Sequence, residues 1–246
     1  MRRLSYLLIV VIVFMLLSCD EDNLTENRDR GTIAGEVLTY SELYSRLTGF
    51  QGVTVFLENT EFKSTSDEFG KWEIENVPQG KYNIRFEKEG CSPWLEGEYE
   101  FNGDGTSYVD TVILLKLPTF EITNYVINAV EDTVKIYCEV TDSLLNSPDW
   151  HYLSYVIGKT SNVDINENNF LYSSEASIKK YSNTTTIYIH KSVLEYYNIF
   201  SGDKVFVKIY PTDYGFHRTY YDPTLGHKIS VDINQETAKT VEITVP

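Results

Sequence analysis

The side chains that most often carry catalysis are few in this chain, and their spacing matches none of the common catalytic motifs. The 246 residues include four histidines, which are scattered along the sequence: His151, His190, His217 and His227. The sequence has no G-x-S-x-G, H-E-x-x-H or Walker pattern, so acyl transfer, zinc hydrolysis and phosphate binding have no recognisable frame. The 36 acidic side chains would supply carboxylate pairs by chance on any acidic surface. We therefore predict a protein that is not an enzyme, with no catalytic residue, no metal and no cofactor.

Aromatic side chains cluster in two segments that could instead bind a ligand. One segment runs from Tyr214 to Asp222 and the other from Asp149 to Tyr152. Aromatic faces beside polar groups suit sugars, because sugar C–H faces stack on rings while the hydroxyls form hydrogen bonds. The predicted ligand-binding residues are Trp150, His151, Tyr214, Phe216, His217, Tyr220 and Tyr221. An alternative stays open, in which these rings close one end of a domain or cover a joint between domains.

The N-terminal segment has the three parts of a secretory signal. Arg2 and Arg3 precede an unbroken apolar run, Leu7 to Leu17, which ends at Ser18 and Cys19. Eleven residues are too few to span roughly 30 Å of hydrocarbon comfortably, which takes about 20. The junction resembles the lipobox of bacterial lipoproteins, and the resemblance implies cleavage before Cys19 and acylation of its thiol. An ordinary signal peptide that happens to contain a cysteine is the alternative.

The residues after Cys19 predict a tether and an address. Residues 20–30 are polar apart from Leu24 and begin with three acidic side chains, so we expect a linker that lifts the folded part off the membrane. Acidic residues at this position resemble the export signal of surface-displayed lipoproteins in some Gram-negative groups. The sequence thus predicts a signal peptide over residues 1–18, a lipidated tether over 19–30, and an outer-membrane location facing the cell exterior.

The composition favours sheet and excludes several classes of protein. Tyr and Phe make up most of the 14% aromatic content, and such side chains, like β-branched ones, fit a pleated surface. The formal net charge is −15, and it becomes −17 when two arginines are lost with the predicted signal peptide. A surface this acidic repels phosphate backbones, so we expect no nucleic-acid partner.

Short alternating segments predict a first β-sandwich over residues 31–118. Residues 65–72 and 78–80 contain turn formers, and we expect the former to make a hairpin; a hairpin turn is also expected at Asn102 to Gly105. The predicted strands are Thr32 to Thr39, Val53 to Leu57, Phe62 to Ser66, Lys71 to Glu75, Tyr82 to Glu87, and Asp110 to Leu117. We expect Trp72, Ile74 and Val77 in the core of this sandwich, and the alternating Tyr82, Ile84 and Phe86 on one buried face.

This first segment resembles the carboxypeptidase-regulatory-like domain, a transthyretin-like sandwich. The resemblance covers about 90 residues and rests on three elements of that family's pattern. They are Gly35-Glu36-Val37, the strand Gly52 to Leu57, and the stretch Thr65 to Tyr82 with Gly70, Trp72, Ile74, Val77 and Gly80 in place. The sequence departs from the pattern at a helix-like insert, Tyr40 to Leu47, and at Cys91. The resemblance implies spacing or interaction and brings no catalytic residue.

A second β-sandwich is predicted over residues 119–246, after Pro118. Its segment Leu194 to Tyr210 is similar to the penultimate strand region of fibronectin type III and immunoglobulin-like domains. Residues 211–215 and 221–228 resemble the C-terminal domain of accessory lipoproteins encoded beside outer-membrane importers of the SusC and SusD type. The predicted strands are Phe120 to Ile127, Thr133 to Val140, Tyr152 to Gly158, Thr184 to His190, Lys204 to Tyr210, and Thr240 to Val245.

Cys91 and Cys138 fall in different predicted domains, and a disulfide needs their Cα atoms within about 7 Å. We therefore expect two buried thiols, while a bridge stays open in an oxidising compartment.

The sequence as a whole predicts an all-β fold of two consecutive antiparallel β-sandwich domains. For its function we expect a lipid-anchored binding or accessory module, with a glycan or a neighbouring outer-membrane protein as partner. A structural adhesin or pilus-like component is the alternative, and an accessory domain of a hydrolase is third.

Overall fold

The computed structural model describes residues 29–41, 47, 49–147, 149–212 and 218–246. The predicted signal peptide, the lipidation site Cys19 and nearly all of the tether lie outside the described residues, as does most of the insert expected at 40–47. Among the residues that are described, no helix is both long enough and apolar enough to cross a bilayer.

The fold is all-β and built from packed sheets, which confirms the predicted class. The first eight strands form two sheets, with β4, β1 and β7 in order in one, β8 also on β1, and β3, β2, β5 and β6 in order in the other. The strands are β1 (Arg30–Tyr40), β2 (Thr54–Leu57), β3 (Lys63–Thr65), β4 (Lys71–Pro78), β5 (Gly80–Glu87), β6 (Trp94–Phe101), β7 (Thr106–Tyr108) and β8 (Val112–Leu115).

Two details of these sheets differ from the sequence expectation. The pairs β1–β7 and β1–β8 are parallel, although the predicted sandwich was antiparallel throughout. The turns at 66–70 and 102–105 are not hairpins, because each joins strands that belong to different sheets. Turn chemistry predicts where the chain reverses, whereas the sheet that receives the next strand depends on packing.

The turn before β4 shows why its residue types are needed. The Asp67 carboxylate accepts hydrogen bonds from the backbone N–H groups of Phe69, at 2.9 Å, and Lys71, at 2.8 Å. Gly70 has φ of +85°, and a Cβ built there would lie 2.2 Å from the carbonyl oxygen of Val37. A side chain at Gly70 would therefore clash with β1.

The core between these two sheets comes from the alternating residues of their strands. Trp72 and Phe86 meet edge to face with ring centroids 5.5 Å apart, flanked by the buried Ile74 and Ile84. Tyr82, expected on the same buried face, is only half-buried and donates its hydroxyl to the carbonyl oxygen of Pro78 at 2.9 Å.

The remaining strands form a second pair of packed sheets with a core of their own. One sheet has the order β13-β10-β9, the other has the order β12-β11-β14-β17, and β15 pairs with β16 in a separate hairpin. The elements are β9 (Ile122–Val130), β10 (Thr133–Val140), β11 (His151–Gly158), β12 (Tyr172–Ile178), β13 (Thr184–His190), α1 (Lys191–Tyr196), β14 (Lys204–Thr212), β15 (Thr219–Asp222), β16 (His227–Ser230) and β17 (Lys239–Thr244), with a 3₁₀ turn at Asp142–Asn146.

Three strands in this part carry no clear sequence signal. Between Tyr172 and Ile178, the edge strand β12 has three serines, a glutamate and an alanine, so it lacks the alternation of apolar residues that marks a half-buried strand. The strands β15 and β16 have four residues each and extend the connection between β14 and β17.

The β15–β16 hairpin lies against β6 of the first pair of sheets. Tyr220 and Val231 from the hairpin region pack on Leu95, with Trp94 and Ile229 alongside. The amide of Asn234 also donates to the carbonyl oxygen of Pro118 at 2.9 Å. The connection between β14 and β17 therefore ties the two parts of the chain together.

Candidate functional site

The predicted aromatic patch is divided by the structure. Trp150 and Tyr221 are exposed, at 40% and 55% of their surface, whereas Tyr220 is 7% exposed and His151 is also buried. Tyr214, Phe216 and His217 lie outside the described residues. His151 and Tyr220 are therefore corrected from ligand-facing to structural positions, while a ligand contact at Trp150 and Tyr221 stays a prediction.

His151 is held inside the end of the second sandwich. Its Nε2 lies 2.8 Å from the Ser147 hydroxyl, and its ring meets Phe120 edge to face with centroids 5.6 Å apart. Phe120 belongs to the segment that leads into β9. His151 therefore covers the end of this core next to that segment.

Tyr220 is buried because its hairpin covers β6. Its ring lies edge to face with Trp94, centroids 6.1 Å apart, and beneath the guanidinium of Arg85 at 5.8 Å. Arg85 also donates to the Tyr220 hydroxyl at 3.2 Å and pairs with Glu58 at 2.6 Å. Tyr220 therefore matches the alternative left open in the sequence analysis, in which an aromatic ring covers the joint between the domains.

Arg218 forms several bonds at the same joint, a role that was not predicted from the sequence. Its guanidinium makes a two-pronged ion pair with Asp232, with Nε–Oδ2 and Nη2–Oδ1 distances of 2.9 Å. It also donates to the carbonyl oxygen of Ile113 at 2.6 Å and to the Ser92 hydroxyl at 3.1 Å. The same group lies 5.6 Å from the Trp94 ring centroid. One arginine, directly before β15, thus bonds to strand β8 and to the connection between β5 and β6.

The topology explains why the first pair of sheets covers this end of the second sandwich. Ile122 at the start of β9 pairs with Val140 at the end of β10, and Tyr152 at the start of β11 pairs with Thr212 at the end of β14. The strand ends that flank the two aromatic segments therefore lie at the end of the second sandwich where the chain arrives from the first pair of sheets.

A different surface combines aromatic rings with polar groups in the open. It is a groove of about 680 Å³ between the edge strands β12 and β13, which belong to different sheets. We call it the tyrosine groove. Its principal lining residues are Tyr137, Tyr155, Tyr172, Ser174, Glu175, Ser177, Lys179, Ser182, Thr184, Thr186 and Tyr188.

Strand register places two of its tyrosines on the outer sheet face. Tyr137 pairs with Thr186, and Lys135 pairs with Tyr188. Their neighbours Ile136 and Ile187 are buried, so the alternate side chains point outward. The ammonium of Lys135 lies 6.0 Å from the Tyr188 ring centroid, which holds this exposed ring in place.

The other two tyrosines connect the groove with the core. Tyr155 is buried and lies 6.3 Å from Tyr172, centroid to centroid, and Tyr172 lies 6.2 Å from Tyr197. Burial raises the pKa of the Tyr155 hydroxyl, against a smaller opposing effect of its hydrogen bond with Ser174. This hydroxyl therefore stays protonated at neutral pH and acts as a hydrogen-bond group.

The side chains of the groove can form stacking contacts and hydrogen bonds with a ligand. Its hydroxyls come from serine and threonine on both strands, and Thr185 Oγ1 donates to the Ser177 carbonyl oxygen at 2.7 Å, which links the two edges. Rings and hydroxyls in one open groove can stack on a sugar and hydrogen-bond its hydroxyl groups. Over the described part of the chain, no group of three His, Cys, Asp or Glu side chains could hold a metal ion.

Sequence reasoning missed this groove because its parts are separated along the chain. Tyr137, Tyr155, Tyr172 and Tyr188 lie on four strands, and only the sheet order brings them together. The one available signal was the polar stretch from Tyr172 to Thr186, which is rich in Ser and Thr.

Cys91 and Cys138 are free thiols, so they do not form a bridge. Cys138 is buried, and burial raises its pKa to about 12. Cys91 is only half-buried rather than buried as expected, and burial raises its pKa as well. Both are expected to remain uncharged and poorly nucleophilic near neutral pH.

No protein-family model and no curated protein matches the chain. Among solved structures, it is similar to a cohesin–X–dockerin complex chain from Acetivibrio cellulolyticus, with 18% identity and a TM-score of 0.31, covering 35% of this chain and 58% of that one. A protein of Bacteroides uniformis, provisionally named carbohydrate-binding, shares 12% identity over 87% of this chain and 100% of its own, with a TM-score of 0.34. A DUF3823 family protein from Parabacteroides merdae shares 14% identity over 88% and 98%, with a TM-score of 0.32. Likeness at this level carries no conclusion about function.

Proposed function

We propose that the protein is a non-enzymatic binding module whose ligand lies in the tyrosine groove. The observation that supports this most directly is the presence of four tyrosines and a row of Ser and Thr hydroxyls in one open groove of about 680 Å³. Rings held by neighbouring strands lose little conformational freedom on binding, so their contacts stabilise a complex efficiently. The class of ligand that fits best is a neutral oligosaccharide.

The setting of this module is part of the same proposal. The lipobox-like junction at Cys19 and the acidic residues after it support an acylated chain on the outer face of an outer membrane. The resemblances to the carboxypeptidase-regulatory-like domain, to fibronectin type III domains and to accessory lipoproteins of SusC and SusD type importers support a role beside a glycan importer. The module would then collect glycans or contact the importer.

Binding to an array of immobilised neutral oligosaccharides tests the ligand class. The full chain should bind at least one of them, and Tyr188→Ala and Tyr172→Ala should each weaken that binding by about fivefold or more, since aromatic contacts of this kind contribute about 1 kcal/mol or more. Tyr108→Ala is the matched control, because Tyr108 is an exposed tyrosine on β7, outside the groove. Binding that survives both groove substitutions would place the ligand elsewhere.

The anchor is tested separately by fractionating cells that express the chain or its Cys19→Ala variant. The unaltered chain should sediment with outer membranes and should carry acyl groups on Cys19 by mass spectrometry. An unmodified Cys19 would contradict the anchor without affecting the groove.

A structural adhesin is the second candidate function, and one observation favours it. Such a protein needs a long strand edge that another subunit can pair with. The strand β9 has nine residues, and β10 is its one partner within the described part of the chain.

A further inference from the structure

Within the described part of the chain, the outer edge of β9 has no strand partner, and a β-bulge at Thr123 is the one feature on it that hinders pairing with another sheet. Residues 122–130 contain no charged side chain and no proline. Edge strands are ordinarily protected by charges, prolines, bulges or a covering segment. Most other long edge strands of this protein follow that rule and carry charges: Lys71, Glu73 and Glu75 on β4, Glu96, Glu98 and Glu100 on β6, Glu175 on β12, and Lys239 and Glu242 on β17. The uncharged edge strand β13 faces β12 across the tyrosine groove.

β9 is also apolar where it is exposed. Val126 is 47% exposed, and Tyr125 and Val130 are exposed to a similar extent. Tyr125 pairs with the buried Cys138 and so lies on the inner face of its sheet, while Val126 pairs with Tyr137 on the outer face. Apolar surface is therefore available on both faces of an unpaired edge, as it is in strands that add to a second sheet.

The order of residues in β9 points to the occupant. When the regular central part of the strand is laid antiparallel to a copy of itself with Val126 opposite Val126, its residues meet residues of the same or similar chemistry. The opposed pairs are Tyr125 with Ile127 and Asn124 with Asn128. A twofold axis requires this kind of self-complementary surface, since the same patch serves both subunits.

Charge repulsion between two copies is weakest along β9 itself. The chain carries a net charge of −15, so two copies repel each other over most of their surface. The β9 edge brings no charge into the contact, and Glu131 lies beyond the strand in the turn to β10, with φ of 53°.

From the free edge, its exposed apolar residues and its self-complementary order, we propose that β9 pairs antiparallel with β9 of a second copy about a twofold axis at Val126. The two three-stranded sheets then become one six-stranded sheet with the order β13-β10-β9-β9-β10-β13. The contact lies on the opposite edge of its sheet from β13, so the tyrosine groove stays open in both copies.

Sedimentation of the full chain over a range of concentrations tests the dimer. The unaltered chain should dimerise, and Val126→Lys should raise the dissociation constant by about tenfold or more, because like charges directly opposite each other destabilise a strand pair. Tyr108→Lys is the control, as it adds the same charge at an exposed site on β7, in the other pair of sheets, and should leave the dimer intact. A monomeric unaltered chain, or a dimer unaffected by Val126→Lys, overturns the proposal.

Cysteine cross-linking tests the register independently. Residues directly opposite in antiparallel strands have Cα atoms about 4.5–5.5 Å apart, which a disulfide can span. Val126→Cys should therefore oxidise to a covalent dimer. Asn124→Cys alone should stay at the background of the unaltered chain, because its copy lies four residues away along the pair. Cross-linking at Asn124 equal to that at Val126 would show unspecific association and overturn the register.

Discussion

At the scale of single residues, the ion pair between Arg218 and Asp232 is an interaction whose disruption should lower the stability of the fold. The side chain of Asp232 is 2% exposed, and each of its two carboxylate oxygens lies 2.9 Å from a nitrogen of the Arg218 guanidinium. A buried carboxylate that loses its partner stays desolvated without compensation. The pair is therefore costly to break, whatever its net contribution.

We expect Arg218→Met to lower the free energy of unfolding by about 3–5 kcal/mol, measured by urea denaturation. Lys204→Met is the matched control, since Lys204 also pairs with a carboxylate, Glu242, at 2.6 Å but is exposed. The control should unfold at the urea concentration of the unaltered chain. Equal stability of both variants would show that the joint does not depend on Arg218.

Asp164 gives a prediction about pH. Burial raises the pKa of this carboxyl, but hydrogen bonds from Lys208 and from the backbone of Asn166 outweigh burial, and the net pKa is lowered. A carboxyl with a lower pKa in the folded state contributes stability above its unfolded pKa, about 3.9, and that stability is lost as the pH falls through the folded value.

Asp164→Asn should therefore destabilise the protein at neutral pH by about 1.5–3 kcal/mol, the range for a hydrogen bond to a charged group. The difference in unfolding free energy from the unaltered chain should shrink below about pH 4. Urea denaturation at several pH values measures both. A difference that stays constant down to the lowest pH would contradict the assigned role of Lys208.

At the scale of elements, the β15–β16 hairpin decides the role of the aromatic segment. Tyr220 points from β15 onto Trp94 of β6, whereas Trp150 precedes β11 and is partly exposed. Both residues were expected on one ligand-facing surface, but the hairpin buries Tyr220, whereas Trp150 is partly exposed to solvent.

Tyr220→Ala should lower the free energy of unfolding by about 3–5 kcal/mol, since it removes a buried aromatic ring. Trp150→Ala should have a much smaller effect, because much of that side chain already contacts water. Thermal unfolding of the two variants measures the contrast. Similar melting temperatures for both would mean that the hairpin does not depend on Tyr220 to pack on β6.

At the scale of the whole molecule, the division into two folding units stays a prediction. Each pair of sheets has its own core, and the contacts between them come from the β15–β16 hairpin and its neighbours. Arg85 from one part and Asp222 from the other add an ion pair at 3.7 Å. The joint is thus polar at its margin and apolar only around Tyr220.

Residues 31–118 and 119–246, expressed separately, should each show cooperative unfolding. Each should be less stable than in the full chain, because Arg218 loses its hydrogen bonds to Ser92 and Ile113, and Tyr220 loses its contact with Trp94. Circular dichroism and dispersed amide signals in NMR measure this. If both fragments are unfolded while the full chain is stable, the joint belongs to a single core.

The sequence determined this protein's class and most of its strands, because period-two alternation of apolar residues is a local property. Trp72, Ile74, Ile84 and Phe86 were expected in the first core and lie there. The sequence also predicted turns at 66–70 and 102–105, because glycine and aspartate act on their own backbone.

The tertiary structure alone decided which sheet each strand joined, and with it every candidate site. Sheet order brings together Tyr137, Tyr155, Tyr172 and Tyr188, which lie far apart in the chain. It also points the aromatic end of the second sandwich at β6, so Tyr220 is buried instead of facing a ligand. Alternation of side-chain types along a strand indicates whether a residue faces the core or the solvent. Which element covers that residue depends on contacts between residues that are remote in sequence.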